Sequence, residues 1–169
     1  MKRRWSNTSS NAPGDISRFS FGVTAAITTS MAIITGLDAA SNSRMAILSA
    51  LLIIAIADNL SDSLGIHIYR ESQMTGTVAD ARIHTITNFL ARFAVTMVFI
   101  ALVVALPLGY SVVLSVAFGL SLLTYLSYRI AQARGTSPYK EILQHVAIAI
   151  AVITISHFVG QWISGVFNL

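Results

Sequence analysis

Five long apolar runs, each closed by a short polar or Gly/Pro stretch, dominate the chain: Phe19–Leu37, Met45–Tyr69, Thr85–Leu106, Tyr110–Tyr128 and Ile142–Val166. A helix rising 1.5 Å per residue needs about 20 residues to cross the hydrocarbon core of a bilayer. The pattern therefore predicts an all-α membrane protein, a single bundle of five transmembrane helices. The breaks are chemically plain: Asp38 to Arg44 is a polar Ala/Ser/Asn turn, Pro107 and Gly109 part the third run from the fourth, and Gly135–Pro138 precedes the fifth. Ser72–His84 is a longer connector. Ahead of the first run, residues 1–15 (MKRRWSNTSSNAPGD) open basic but lead into a Ser/Asn/Pro/Gly tract. That is not the apolar core of a secretory signal peptide and predicts a short mobile tail, leaving residues 16–169 as one membrane domain.

Five crossings put the termini on opposite sides, and the basic residues choose the direction. Ten of the eleven Lys and Arg residues fall on the side of the amino terminus, and Arg44 alone falls on the other. A cytoplasmic amino terminus follows, with the inner (plasma) membrane of a prokaryote as the expected location. Arg92 lies a little inside the third run, where a long side chain near a helix end is expected to snorkel to the interface.

Composition sharpens this picture. Hydrophobic residues make up 54% of the 169 and charged residues 11%, and the mean hydropathy is +0.70. Lipid is thus the solvent for most of the chain. The net charge of +4 is spread over segment ends rather than gathered on one face, which argues against a nucleic-acid partner. With no cysteine there is no disulfide framework, thiolate metal site or cysteine nucleophile.

Against that background "IIAIADNLSDSLGIHIYRES", residues 53–72, stands out. Asp58 and Asp62 are i and i+4, one above the other on a helix face and about 6 Å apart along its axis. A carboxylate at membrane depth costs roughly 2.5–3.5 kcal/mol on insertion scales, so the pair is expected to face the bundle or a wet cavity, with Asn59 and Ser61 beside it. Two carboxylates so close repel each other unless a cation lies between them. Two readings stay open: a cation site, or an interhelical polar network with one carboxyl protonated.

Other stripes offer weaker signals. Thr24, Thr28, Met31, Thr35 and Asp38 follow at helical spacing on the first helix, as oxygen donors and one thioether, or as threonines bonded to their own helix. Small residues Gly22, Ala25, Ala26, Ala32 and Gly36 allow a close partner, including a second copy of the helix. His67 and Glu71, again i and i+4, form a candidate cytoplasmic mouth half a turn out of phase with Asp58. Thr154, His157, Gln161 and Ser164 make a polar stripe on the last helix, with His145 nearer its start. No His-Glu-x-x-His, phosphate-cradling glycine loop or Gly-x-Ser-x-Gly element occurs, so neither an enzyme nor a bound cofactor is expected.

"AILSALLIIAIADNLSDSLGIHIYRES" resembles the second helix of the vacuolar iron transporter family, through Ala57, Ser61, Leu64, Gly65 and Ser72. "FGVTAAITTSMAIITGL" looks like its first helix, "NFLARFAVTMVFIALVVALPL" like its third and "EILQHVAIAIAVITISHFVGQWISGVF" like its fifth. The resemblance covers nearly all of residues 19–167 through short apolar motifs. It implies a five-helix homodimer in the bilayer that passes Fe²⁺ or Mn²⁺, as cargo, along a path between subunits in exchange for protons. Departures are Ala25 in place of an Asp, Asp62 in place of a Met and Ile66 in place of a Glu. The short Ser72–His84 interval also leaves no room for the Glu-rich cytoplasmic metal-binding domain of some members.

The sequence thus predicts a compact divalent-metal transporter with Asp58 and Asp62 as ligands and Asn59, Ser61, Thr28 and Met31 as auxiliaries. The alternative is a non-transporting membrane scaffold or accessory subunit of the same fold. Asp58-x-x-x-Asp62 also resembles the final acidic pair of CDP-alcohol phosphotransferases, but "GLDAASNSR" does not provide the upstream acidic element which that family needs.

Overall fold

The computed structural model describes the backbone of residues 14–72 and 78–167, and the side chains of that range outside residues 14–21, 66, 69–72 and 78–84. Every regular element in it is helical: α1 (Gly14–Ser41), α2 (Arg44–Ile53), a π turn (Ile54–Asp58), α3 (Asn59–Ser72), α4 (Val78–Ala105), α5 (Leu108–Arg134) and α6 (Pro138–Phe167). Since α2, the π turn and α3 run on without a break, five spans result. Each contains 20 to 30 residues long and apolar enough to cross a bilayer. The predicted tail falls largely in residues 1–13, and part of the predicted connector in residues 73–77; both stretches lie outside the described residues.

Local chemistry sets the ends. α1 continues through the polar Asp38–Ser41 and stops only at Asn42, whose φ of 47° is left-handed and whose N–H bonds Asp38 O at 2.9 Å. Ser43 then caps α2, its hydroxyl accepting from the Ala46 N–H at 3.3 Å. A two-residue turn thus replaces the seven-residue one expected, because helical bonds continue until a residue tolerant of positive φ is reached. At the same end of the bundle Arg44 donates to Leu106 O at 2.8 Å, covering a carbonyl just past the end of α4. α5 ends on Gly135 (φ 65°), with Gly135 N–H on Gln132 O and Thr136 N–H on Ala131 O, the paired bonds of a Schellman cap. Pro138 opens α6, where its missing N–H costs no bond. Short connections leave consecutive spans antiparallel.

α1 is the central helix, packed by α2, α4, α5 and α6. Its Ile27, Met31 and Ile34 meet Leu51, Phe99 and Leu123 in a fully buried apolar core. The outer face is equally apolar: Ile53, Ile56, Leu60 and Leu64 on the second span and Ile155, Phe158 and Trp162 on α6 are exposed. An inside and an outside that are both hydrophobic fit a bundle solvated by lipid, as in an integral membrane protein.

The small residues of α1 serve contacts within the chain. A Cβ on Gly36 would lie 3.1 Å from Ser156 O of α6, and one on Gly22 would collide with Asn88 Oδ1 of α4. Gly22 and Gly36 thus admit α4 and α6, where the sequence had also allowed a second copy of α1.

Candidate functional site

The acidic pair sits where the second span changes its winding. In the π turn the Asn59 N–H bonds Ile54 O and Ile56 O, and the Asn59 side-chain amide donates to Ala55 O at 2.9 Å. Such one-turn bulges re-aim the residues that follow and recur at functional sites. Here the bulge directs Asn59, fully buried, and Asp62 toward α4 alongside Asp58, which closes the turn.

Arg92 receives them. Its Nε donates to Asn59 Oδ1 at 2.7 Å, its Nη2 to Asp58 Oδ2 at 2.8 Å and its Nη1 to Asp62 Oδ2. All three guanidinium nitrogens are therefore directed at one face of the π turn and α3, in the planar fork that suits Arg to carboxylates. Arg92 is 2% exposed, whereas the Asp58 and Asp62 side chains are 45% and 43% exposed. The expectation that Arg92 snorkels to an interface is thus corrected. Asp58 and Arg92 both lie well inside helices long and apolar enough to cross a bilayer. At that depth an adjoining carboxylate pair offers a far better environment than a stretched stem does. The cation required between Asp58 and Asp62 is supplied by the protein itself.

Of the candidate ligands, the structure brings Asp58, Asn59 and Asp62 together and leaves Ser61, Thr28 and Met31 out of the Arg92 cluster. Ser61 is exposed and donates to Ala57 O at 2.9 Å. Thr28 donates to Thr24 O at 3.0 Å, and Thr35 to Met31 O at 2.8 Å, the self-satisfied arrangement open to membrane threonines. Met31 is fully buried, with its sulfur against Gly119 of α5 and close to Phe99. His67 is partly buried, and the Glu71 side chain lies outside the described residues. His145 is satisfied by Ser127: the Ser127 hydroxyl donates to Leu123 O at 2.7 Å and so accepts from His145 Nδ1 at 2.9 Å. Thr154, His157 and Gln161 are exposed on α6, away from the cluster's helices.

Sequence reasoning missed two members of the site. Arg92 was visible as a charge inside an apolar run, but nothing in the spacing told which helix it faces. Asn88, one turn earlier on α4, is 4% exposed, and neither polar atom of its amide has a hydrogen-bond partner among the described residues. Among those residues no three His, Asp or Glu side chains gather into a group able to hold a metal ion.

No protein-family model, curated protein or solved structure matches the chain. Its likeness to vacuolar iron transporters therefore rests on the residues quoted above.

Proposed function

We propose that the chain carries a divalent cation, Fe²⁺ or Mn²⁺, across a membrane at Asp58 and Asp62, and that two copies complete the site. One observation carries this reading: two carboxylates share a single guanidinium, which leaves the cluster one negative charge in excess. Hydrocarbon is a poor neighbour for that excess and for two half-exposed carboxylates. They need a polar surface on their outer side. A second copy across a two-fold axis brings an equal excess to the same place, and one divalent cation between the copies neutralises both. An oxygen-rich donor set suits hard or borderline divalent cations. The likeness to vacuolar iron transporters supports a five-helix homodimer of this kind. The distribution of basic residues supports a cytoplasmic amino terminus in a prokaryotic inner membrane.

The bonds from both acids to Arg92 favour a second reading, a non-transporting scaffold in which the cluster only locks α3 to α4. Fe²⁺ and Mn²⁺ uptake into proteoliposomes, with and without a pH gradient, separates the two. Asp58→Asn and Asp62→Asn, taken singly, each leave Arg92 one carboxylate and cancel the excess charge. Transport predicts uptake by the wild type and a fall on the order of tenfold or more in either variant. Wild-type uptake no greater than that of empty liposomes, from folded protein, leaves the scaffold.

A further inference from the structure

A cargo cation cannot reach Asp58 and Asp62 on equal terms with the lipid-facing side chains, because Arg92 already holds both. The guanidinium must give way, and a buried arginine can do so only if another acceptor lies within reach. Asn88 supplies one. A Cβ added to Gly22 would collide with Asn88 Oδ1 and lie 3.2 Å from Arg92 Cγ, so the Asn88 amide and the Arg92 stem rest side by side on bare α1 backbone. Side chains on a helix lean toward its amino terminus, which places Arg92 over the turn that carries Asn88. A buried amide without partners is an unmet acceptor and donor, and groups of this kind call for an explanation.

We propose that Arg92 is a tethered counter-cation, which holds Asp58 and Asp62 charged before cargo arrives, cedes them to a divalent cation and withdraws its guanidinium toward Asn88. This inference rests on the cation-carrying reading and specifies its binding step. A divalent ion brings two charges to the place where the guanidinium brings one, so exchange gains Coulomb energy. A monovalent ion gains no charge and forfeits three directed bonds. The device therefore selects for divalent over monovalent cations, with Arg92 acting as a positioning residue rather than as a ligand. Asn88 Oδ1 takes the displaced N–H groups about one helical turn, 5.4 Å, along α4.

Mn²⁺ binding to the full chain in nanodiscs, followed by the electron paramagnetic resonance of free Mn²⁺, tests the exchange in wild type, Arg92→Lys, Arg92→Gln and Asn88→Leu. Removal of the competitor should tighten Mn²⁺ binding on the order of tenfold in Arg92→Gln, with Arg92→Lys between it and the wild type. Asn88→Leu should weaken binding severalfold, since the guanidinium loses its second acceptor. Excess Na⁺ should compete with Mn²⁺ in Arg92→Gln and not in the wild type, an effect that a merely structural arginine does not produce. Binding in folded Arg92→Gln that equals or falls below the wild type overturns the proposal. Should that variant not fold, Arg92→Lys decides by the same sign. If no form of the folded protein binds Mn²⁺, the cation-carrying reading itself falls, and this exchange with it.

Discussion

α6 docks on α1, and α3 docks on α4, by opposite means. Along the first seam no side-chain bond is needed, since a Cβ on Gly160 would strike Gly36 O and lie 3.0 Å from the Cβ of Ala39. Two backbones touch there because neither carries a side chain at the crossing, the usual device where lipid removes the hydrophobic drive for helix association. The α3–α4 seam instead closes on Arg92, Asp58, Asn59 and Asp62, with the guanidinium buried and the carboxylates half out. Shape fixes the one register and charge the other. A seam fixed by shape has one arrangement, whereas a seam fixed by charge can be rearranged by another charge. The mobile step of the molecule, if it carries cations, therefore belongs to α3 and α4.

The largest expected effect breaks the charged seam from the acidic side. Replacing both carboxylates at once, Asp58→Asn with Asp62→Asn, strands a guanidinium that is 2% exposed, and removing the partners of a buried charge costs about 3–5 kcal/mol. Thermal unfolding in detergent should show that loss. Adding Arg92→Met to the double variant should restore most of it, because the stranded charge and not the lost bonds carries the cost. No recovery in the triple variant would mean that the polar contacts themselves hold the seam.

A smaller effect separates shape from charge. Gly160→Ala puts a Cβ against backbone that cannot yield and should cost about 1–3 kcal/mol, with α6 displaced from α1. Gly119→Ala is the control. Its Cβ would meet the Met31 thioether and the edge of Phe99, side chains that can shift where backbone cannot, so the loss should fall at the low end of that range, about 1 kcal/mol. Equal losses at the two positions would show that the α1–α6 seam is no more rigid than the α1–α5 one. Neither variant touches Arg92, so Mn²⁺ binding should be unchanged in both.

The two seams also differ in how far the sequence reveals them. Run length exposes the five spans, because about 20 apolar residues have few other uses. Their ends are less visible: Asp38–Ser41 and the turn at Val78 are polar by composition yet helical, since backbone bonds continue past the apolar stretch until a cap or a break intervenes. The acidic pair is visible because i and i+4 share a face whatever the neighbours do. Its partner is not. Arg92 follows Asp58 by 34 residues across a connector, and helical periodicity says nothing of the register between two helices. The π turn is hidden for a like reason, because its apolar residues 54–57 read as ordinary helix.

That limit of periodicity also explains the fate of the first-helix stripe and frames the smallest effect. Thr28 and Met31 share a face, but the face is turned toward α5 at Met31, where the thioether fills the space over Gly119. Met31→Leu keeps the volume and should cost under about 1.5 kcal/mol, and Thr28→Val removes one bond to Thr24 O, worth about 1 kcal/mol. Neither residue reaches Arg92, Asp58 or Asp62 through any of the guanidinium's bonds. If cargo is held at the charged seam alone, Mn²⁺ uptake by either variant should stay within about twofold of the wild type, far from the tenfold change expected at the ligands. A tenfold loss in Met31→Leu would instead put the thioether on the cation's path. α1 would then have to turn its stripe from α5 toward α3 during transport, and the shape-fixed core would be the moving part.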